Sequence, residues 1–296
     1  MVNKILSLVE IMRKYMKPLE PLEAGLKAGG ALRNRVRAVL FDLYGTIFIS
    51  SSGDISIEER DICNKKDEKL EKLNILLHNY AIRLNSEEVF KDYLEEISRV
   101  HSRLKSEGIE YPEVDIEVVW MQVLGMEDLD SARRFAVEYE SVFNPVWPMP
   151  YLRETLECLR EKGILLGIIS NAQFFTPLLF QAFFNATPEE LGFERDLIFF
   201  SYQYHQAKSS GYLFEEAKRL LLRWSIDPTQ ALYVGNDMLN DVLPAHRAGF
   251  QTALFAGDLR SLRLREDNVM CRSLKPDLVI TGLQNLTEYI NKEYGE

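Results

Sequence analysis

The stretch VRAVLFDLYGT, residues 36–46, decides how the rest of the chain is read. Its apolar run shows no alternation of polar and apolar residues, so it reads as a strand buried on both faces, as in a parallel sheet. The run stops at Asp42, and Gly45–Thr46 turns the chain just behind it. Ligands of open α/β sheets bind at the carboxyl ends of the strands, so Asp42 is the first candidate for chemistry.

Working outward, similar apolar runs cover residues 164–170, 197–202, 231–235, 252–255 and 277–280. Helical patterns separate them at 151–162, 211–223 and 240–248, two of these stopped by Gly163 and Gly249. Strand and helix alternating in this way specify an α/β fold: a three-layer, Rossmann-like parallel sheet with helices on both faces. From about residue 58 to 144 the alternation breaks, and apolar faces such as Leu70, Leu73, Leu76 and Leu77 mark consecutive helices. An all-helical insert directly after the first strand is expected to form a separate cap. The Pro-rich NPVWPMP, residues 144–150, reads as the return hinge. The expected division is an N-terminal helical extension (1–35), a core (36–53 and 148–296) and a helical cap (54–147).

Composition narrows the classes. A formal net charge of −10 argues against wholesale nucleic-acid binding, which calls for a basic face. It leaves room for a small anionic substrate met by a local cation or amide nest. No apolar run approaches the ~20 residues of a membrane span. At the N-terminus Glu10, Arg13 and Lys14 interrupt the apolar positions, whereas Leu6, Val9, Met12 and Met16 recur at helical spacing. That pattern predicts an amphipathic helix docked on the body rather than an export signal or membrane anchor. Cys63, Cys158 and Cys271 are odd in number and widely spaced, which suits a reducing, cytoplasmic setting. The aromatic cluster Phe174, Phe175, Phe180, Phe183 and Phe184 is expected to pack the cap or the partner subunit of a homodimer.

The strand ends carry an ordered set of polar residues: Asp42, then Ser170 and Asn171, then Lys208, then Asp237 and Asp241 in VGNDMLND. Each alone has a plain structural reading, as a turn cap, a helix start or a solvated charge. Together, and in this order, the chain resembles the haloacid dehalogenase (HAD) superfamily over the core residues 36–43 and from 148 onward. The helical insert stands where the type-1 cap of that family stands. The resemblance implies Asp42 as a carboxylate nucleophile that forms a covalent intermediate, with Ser170, Asn171 and Lys208 binding the transferring group. It also implies a Mg²⁺ ion held by Asp42, the backbone carbonyl of Tyr44, and the Asp237 and Asp241 pair.

Three positions depart from the family pattern. Tyr44 stands where its phosphatases carry a second Asp as general acid and base, and a phenol with an ordinary pKa of about 10 is poorly suited to that work. Asp-Leu-Tyr-Gly-Thr is instead similar to the metal-free 2-haloacid dehalogenases, where a halide needs no proton. Ser209 replaces a usual Pro after the lysine. The register of the fourth motif also has two solutions: four-residue spacing makes Asp237 the metal ligand, while alignment on Gly235 puts Asn236 there. An acidic ligand suits Mg²⁺ better, which favours Asp237. His205 is expected to be merely exposed. The leading expectation is a Mg²⁺-dependent phosphatase of a small phosphorylated metabolite. The alternatives are a dehalogenase-like hydrolase and a binding or regulatory module with weak turnover.

Overall fold

The computed structural model describes residues 2–52 and 66–294. Its sheet runs in the order β1-β9-β8-β7-β2-β5-β6, with β1 (Gly29–Gly30), β2 (Ala38–Phe41), β5 (Leu165–Ser170), β6 (Phe193–Phe200), β7 (Ala231–Gly235), β8 (Gln251–Phe255) and β9 (Leu278–Ile280). Every pairing is parallel except β1 with β9. The predicted α/β class therefore holds, and β2 lies between β5 and β7 in the interior of the sheet.

The strand's pattern explains that position. Val39 and Phe41 enter the hydrophobic cluster on one face, while Ala38 and Leu40 enter the cluster on the other. All four are fully buried, as a strand covered on both sides requires. The helix Tyr212–Arg223 supplies Leu213, Phe214, Ala217 and Leu221 to the second face. The turn at Gly45 has φ +79, and a Cβ there would stand 2.3 Å from that of Ser261, so only glycine fits.

Boundaries shift slightly from the sequence reading. The third expected strand begins earlier, at Phe193, and ends at Phe200, so that Tyr202 lies in the short helix Ser201–Tyr204. Two short elements went unpredicted: β3 (Phe48–Ser50) and β4 (Val146–Pro148) pair antiparallel. The Pro-rich hinge is thus one strand of a two-stranded stalk. The aromatic residues pack largely there, with Phe180 and Phe183 lying 5.3 and 5.8 Å from Phe48, and Phe183 5.3 Å from Trp147. Phe174 instead faces the insert, beneath Arg133.

Beyond the stalk the described residues form helices Lys66–Asn79, Ser86–Ser106, Ile116–Val123 and Leu129–Phe143, the arrangement expected of a cap. The expected cap residues 54–65, with Cys63, lie outside the described residues. Trp120 centres this bundle, stacked 4.3 Å from Tyr93 and tilted against Phe135 at 4.8 Å. The N-terminal extension is helical only over Val2–Tyr15; Pro18 and Pro21 stop it, and the chain then runs extended to β1. Arg13 of this helix donates to the carbonyls of Gln181 and Ala182, while Lys14 and Tyr15 reach Glu138 of the insert. No helix among the described residues is long and apolar enough to cross a membrane. Cys158 and Cys271 are unpaired.

Trp120→Ala should lower the free energy of unfolding by about 3–5 kcal/mol, the usual loss for a large ring removed from a packed core. Chemical denaturation measures it, and a loss below about 1 kcal/mol would show that the ring stack does not hold the bundle.

Candidate active site

The carboxyl ends of β2, β5 and β7 and the loop after β6 bring Asp42, Ser170, Lys208, Tyr233 and Asp241 into one buried group. Lys208 Nζ lies 2.6 Å from Asp42 Oδ1 and 2.6 Å from Asp241 Oδ1, bridging two carboxylates. Ser170 Oγ donates to the same Asp42 oxygen at 3.0 Å. Tyr233, the one polar side chain in β7, donates from its hydroxyl to Asp241 Oδ1 at 3.0 Å. Gly235 makes room: a Cβ on it would stand 2.4 Å from Asp241 Cγ. Asn171 does not point at Asp42. Its Oδ1 accepts the backbone N–H of Lys208 at 2.9 Å and so fixes where the lysine starts.

The group carries two carboxylates and one ammonium out of water, so its electrostatics are strained. Burial lifts the Asp42 pKa, the Lys208 charge draws it down, the Asp241 charge lifts it again, and hydrogen bonds from Lys208 and Ser170 draw it down. The balance stands at about 7. Burial works against the Lys208 ammonium, but Asp241 and Asp42 hold its pKa above the ordinary lysine value. Tyr44 is buried, and its hydroxyl lies 3.0 Å from Thr176 Oγ1. Its ring lines a cavity of about 20 Å³ with Met12, Met16 and Phe175, and burial raises its pKa, so it stays a neutral phenol.

In the fourth motif Asp237 and Asp241 turn to different partners. Asp237 is the N-cap of a π-helical turn, Met238–Val242, and its carboxylate folds back onto the N–H groups of Leu239 and Asn240. Arg265 clamps the same carboxylate, Nη2 to Oδ2 at 2.7 Å. Asp241 turns one oxygen to Lys208 and the other to the Asp237 N–H at 2.9 Å. Among the described residues no group of three or more His, Cys, Asp or Glu side chains is placed to hold a metal.

Asn236 is the residue of this motif that faces Asp42. Its Nδ2 donates to the Ser261 carbonyl at 2.5 Å, which turns Oδ1 toward Thr46 Oγ1 at 3.1 Å. The same Thr46 hydroxyl lies 3.5 Å from Asp42 Oδ2. The oxygens left for a divalent cation are therefore Asp42 Oδ2, Asn236 Oδ1 and, by the motif pattern, the Tyr44 carbonyl. That set fits a magnesium ion in reduced form, with one carboxylate instead of a cage of acids.

Sequence reasoning passed over Thr46, Tyr233, Ser261 and Arg265. Tyr233 had a signal, being a lone hydroxyl inside an apolar strand. Arg265 had none, since it arrives from 28 residues beyond Asp237 in an irregular excursion. His205 is half-exposed and stands 4.0 Å from Asp115 of the insert.

The site is thus a strand-end carboxylate of a mostly parallel sheet, held by a serine and a lysine. The chain belongs to the haloacid dehalogenase-like hydrolase family, whose model matches residues 36–249. It is similar to the glyceraldehyde 3-phosphate phosphatase of Methanothermobacter thermautotrophicus, 27% identical over 233 residues, covering 76% of this chain and 87% of that protein. Among solved structures it resembles a 2-haloacid dehalogenase from Pseudomonas syringae pv. Tomato DC3000, with 22% identity and a TM-score of 0.51 over 87% of this chain and 99% of that one. It also resembles a HAD phosphatase from Thermococcus onnurineus, with 20% identity and a TM-score of 0.50 over 88% of this chain and 98% of that one. These two structures bear on the fold alone.

The raised Asp42 pKa has a sign that stability reads. Unfolded, the carboxyl releases its proton near pH 4; folded, it keeps it to about 7. Its contribution is present at low pH and lost as pH rises through that window. Asp42→Asn removes the titration and leaves Lys208 neutralised by Asp241. In chelator at pH 8 it should be more stable than wild type by about 1–3 kcal/mol, a few degrees in Tm. The gap should close toward pH 4–5, as thermal melts across pH will show. A variant less stable at pH 8, or a gap independent of pH, would contradict this electrostatic account.

Proposed function

We propose that this hydrolase cleaves a small phosphorylated metabolite through a covalent phosphoester on Asp42. The observation that carries the reading is the asymmetric hold on that carboxylate. Ser170 and Lys208 pin Oδ1, while Oδ2 has, among the described residues, the Thr46 hydroxyl at 3.5 Å. Oδ2 is the oxygen presented for attack. It forms the new bond to phosphorus as the bond to the leaving oxygen breaks; water then attacks phosphorus, releasing phosphate and the Asp42 carboxylate.

Lys208 and Ser170 reach the transferring group from the Oδ1 side and supply positive charge and a hydrogen bond there. The phosphatase activity of the curated relative supports phosphoryl transfer over other ester chemistry. Asp42, the Tyr44 carbonyl and Asn236 would hold a magnesium ion, which would supply the positive charge that a phosphate dianion needs beside a net-negative trio. The insert excludes water and selects the substrate.

Tyr44 restricts what can leave. It offers no proton near neutral pH, so the leaving group departs as an anion. Acyl and aryl phosphates tolerate that; alkyl phosphates do not. A second reading is favoured by the neutrality of both Tyr44 and Asn236: metal-free attack of Asp42 on carbon with halide as the leaving group, as in the family's dehalogenases.

A panel of phosphates with leaving groups of graded pKa, run with Mg²⁺ and with chelator, separates the two. We expect aryl and acyl phosphates to turn over at least ~10²-fold faster than alkyl ones, and Tyr44→Asp to narrow that gap. Asn236→Asp should lower the Mg²⁺ concentration needed for half-maximal rate. Equal wild-type rates on alkyl and aryl phosphates would refute the leaving-group account. Metal-independent halide release from 2-chloropropionate, without phosphatase activity, would establish the carbon-attack reading. No turnover on either class, with Asp42→Asn inert, would leave a binding module.

A further inference from the structure

A cap fulfils its purpose only if its closure reaches the reacting groups, and one buried amide makes that link. Gln173 lies three residues after Ser170, in the loop that also carries Asn171, and is buried. Its side-chain amide is turned away from Asp42 and toward the insert. Nε2 donates to Glu113 Oε1 at 3.1 Å and to the Val114 carbonyl at 3.0 Å, while Oε1 accepts the Ile116 N–H at 3.1 Å. Both donors and the acceptor are therefore engaged by residues 113–116.

The same segment of the insert also grips the loop that carries Lys208. The N–H of Glu113 donates to the His205 carbonyl at 3.1 Å, and the N–H of Ala207 donates to the Tyr111 carbonyl at 2.9 Å. Ser201 closes the circuit: its hydroxyl donates to Glu113 Oε2 at 2.9 Å and accepts the Ala172 N–H at 2.9 Å. Back in the site, the Lys208 N–H donates to Asn171 Oδ1. The two loops that hold Asp42 Oδ1 are thus joined to each other and to the insert through buried and half-buried polar groups. Such groups lose more when left unpaired than they gain when paired, so the network forms or opens as a unit.

We propose that Gln173 is a positioning residue: it makes the placement of Ser170 and Lys208 around Asp42 conditional on the insert being seated on the core. Gln173 does not touch the reacting atoms. It acts through Ser170, Asn171 and Ala172 on its own loop, and through residues 113–116 on the loop of Lys208. The proposal rests on the covalent-hydrolase reading for its kinetic consequence, but the coupling itself is a property of the folded protein and is measurable without a substrate.

The test uses the full chain and two readouts. Gln173→Glu keeps the shape but sets a carboxylate against Glu113 Oε1 and the Val114 carbonyl. Where wild type turns over an aryl phosphate, this variant should lose about 10–100-fold in kcat with KM within about threefold. The reciprocal Gln173→Glu/Glu113→Gln pair restores a donor opposite an acceptor at position 113 but leaves the Val114 carbonyl facing a carboxylate, so kcat should recover in part, to at least about threefold above the single variant. A volume or solvation effect would not be repaired by the swap. Full activity in the single variant, or no recovery in the pair, overturns the proposal.

Hydrogen exchange on wild type decides the coupling if the single variant fails to fold or if the phosphatase reading itself fails. The N–H groups of Ile116, Ala172 and Lys208 should open together, with protection within about threefold of one another. Ile116 exchanging ~100-fold faster than Lys208 would show that the insert lifts without disturbing the site, and would overturn the proposal equally.

Discussion

The structure depends on one ammonium placed between two carboxylates. Lys208, fully enclosed, touches Asp42 and Asp241 at the same short distance, and the surrounding parts serve to keep it there. Gly235 withholds a side chain so that Asp241 can stand close. Tyr233 donates to the same Asp241 oxygen that Lys208 touches, and Asn171 holds the lysine's backbone. A buried trio with two negative groups and one positive is a poor arrangement for stability. On the proposed reading it suits a nucleophile, because the unmatched charge resides on a carboxylate whose Oδ2 meets, among the described residues, the Thr46 hydroxyl. Burial, with the Asp241 charge behind it, lifts the Asp42 pKa to about 7 against the pull of Lys208.

Around this trio the acids that would gather a divalent cation have been exchanged or diverted. Tyr44 stands where the resemblance implies an acid in the phosphatases, and Asn236 does so if Gly235 fixes the register. Asp237 is neutralised within the chain by the Arg265 clamp. On the proposed reading, the site keeps the groups that would form an ester and has fewer that would protonate what leaves. Substrates with stable leaving anions and displacements at carbon share that one requirement, which is why the two chemistries converge on the same residues.

Much of this was legible in the sequence, for identifiable reasons. Buried parallel strands announce themselves as unbroken apolar runs, and the residues that end them fall at the mouth of the sheet by topology alone. Asp42, Ser170 and Lys208 were therefore within reach. The direction of a side chain in a π-helical turn is not encoded in spacing. Asp237 and Asp241 stand four apart, yet one points back along its own helix and the other into the site. Spacing alone therefore does not choose between Asp237 and Asn236. β3 and β4 are too short to carry a period, and the Ser261–Arg265 excursion that orients Asn236 has no repeating pattern.

The interior position of β2 has a consequence for synthesis. This strand leaves the ribosome early, yet its partners β5 and β7 lie beyond the whole helical insert, Leu40 pairing with Gly167 and with Tyr233. An apolar strand with two open edges must wait, exposed, for most of the chain to be made. The insert can assemble from local contacts in that interval. Its two ends are brought together by the β3–β4 stalk, which shortens the effective loop between β2 and β5 before either finds the other. The insert thus acts as a folding spacer, and its stability bears on how long this apolar strand stays unpaired.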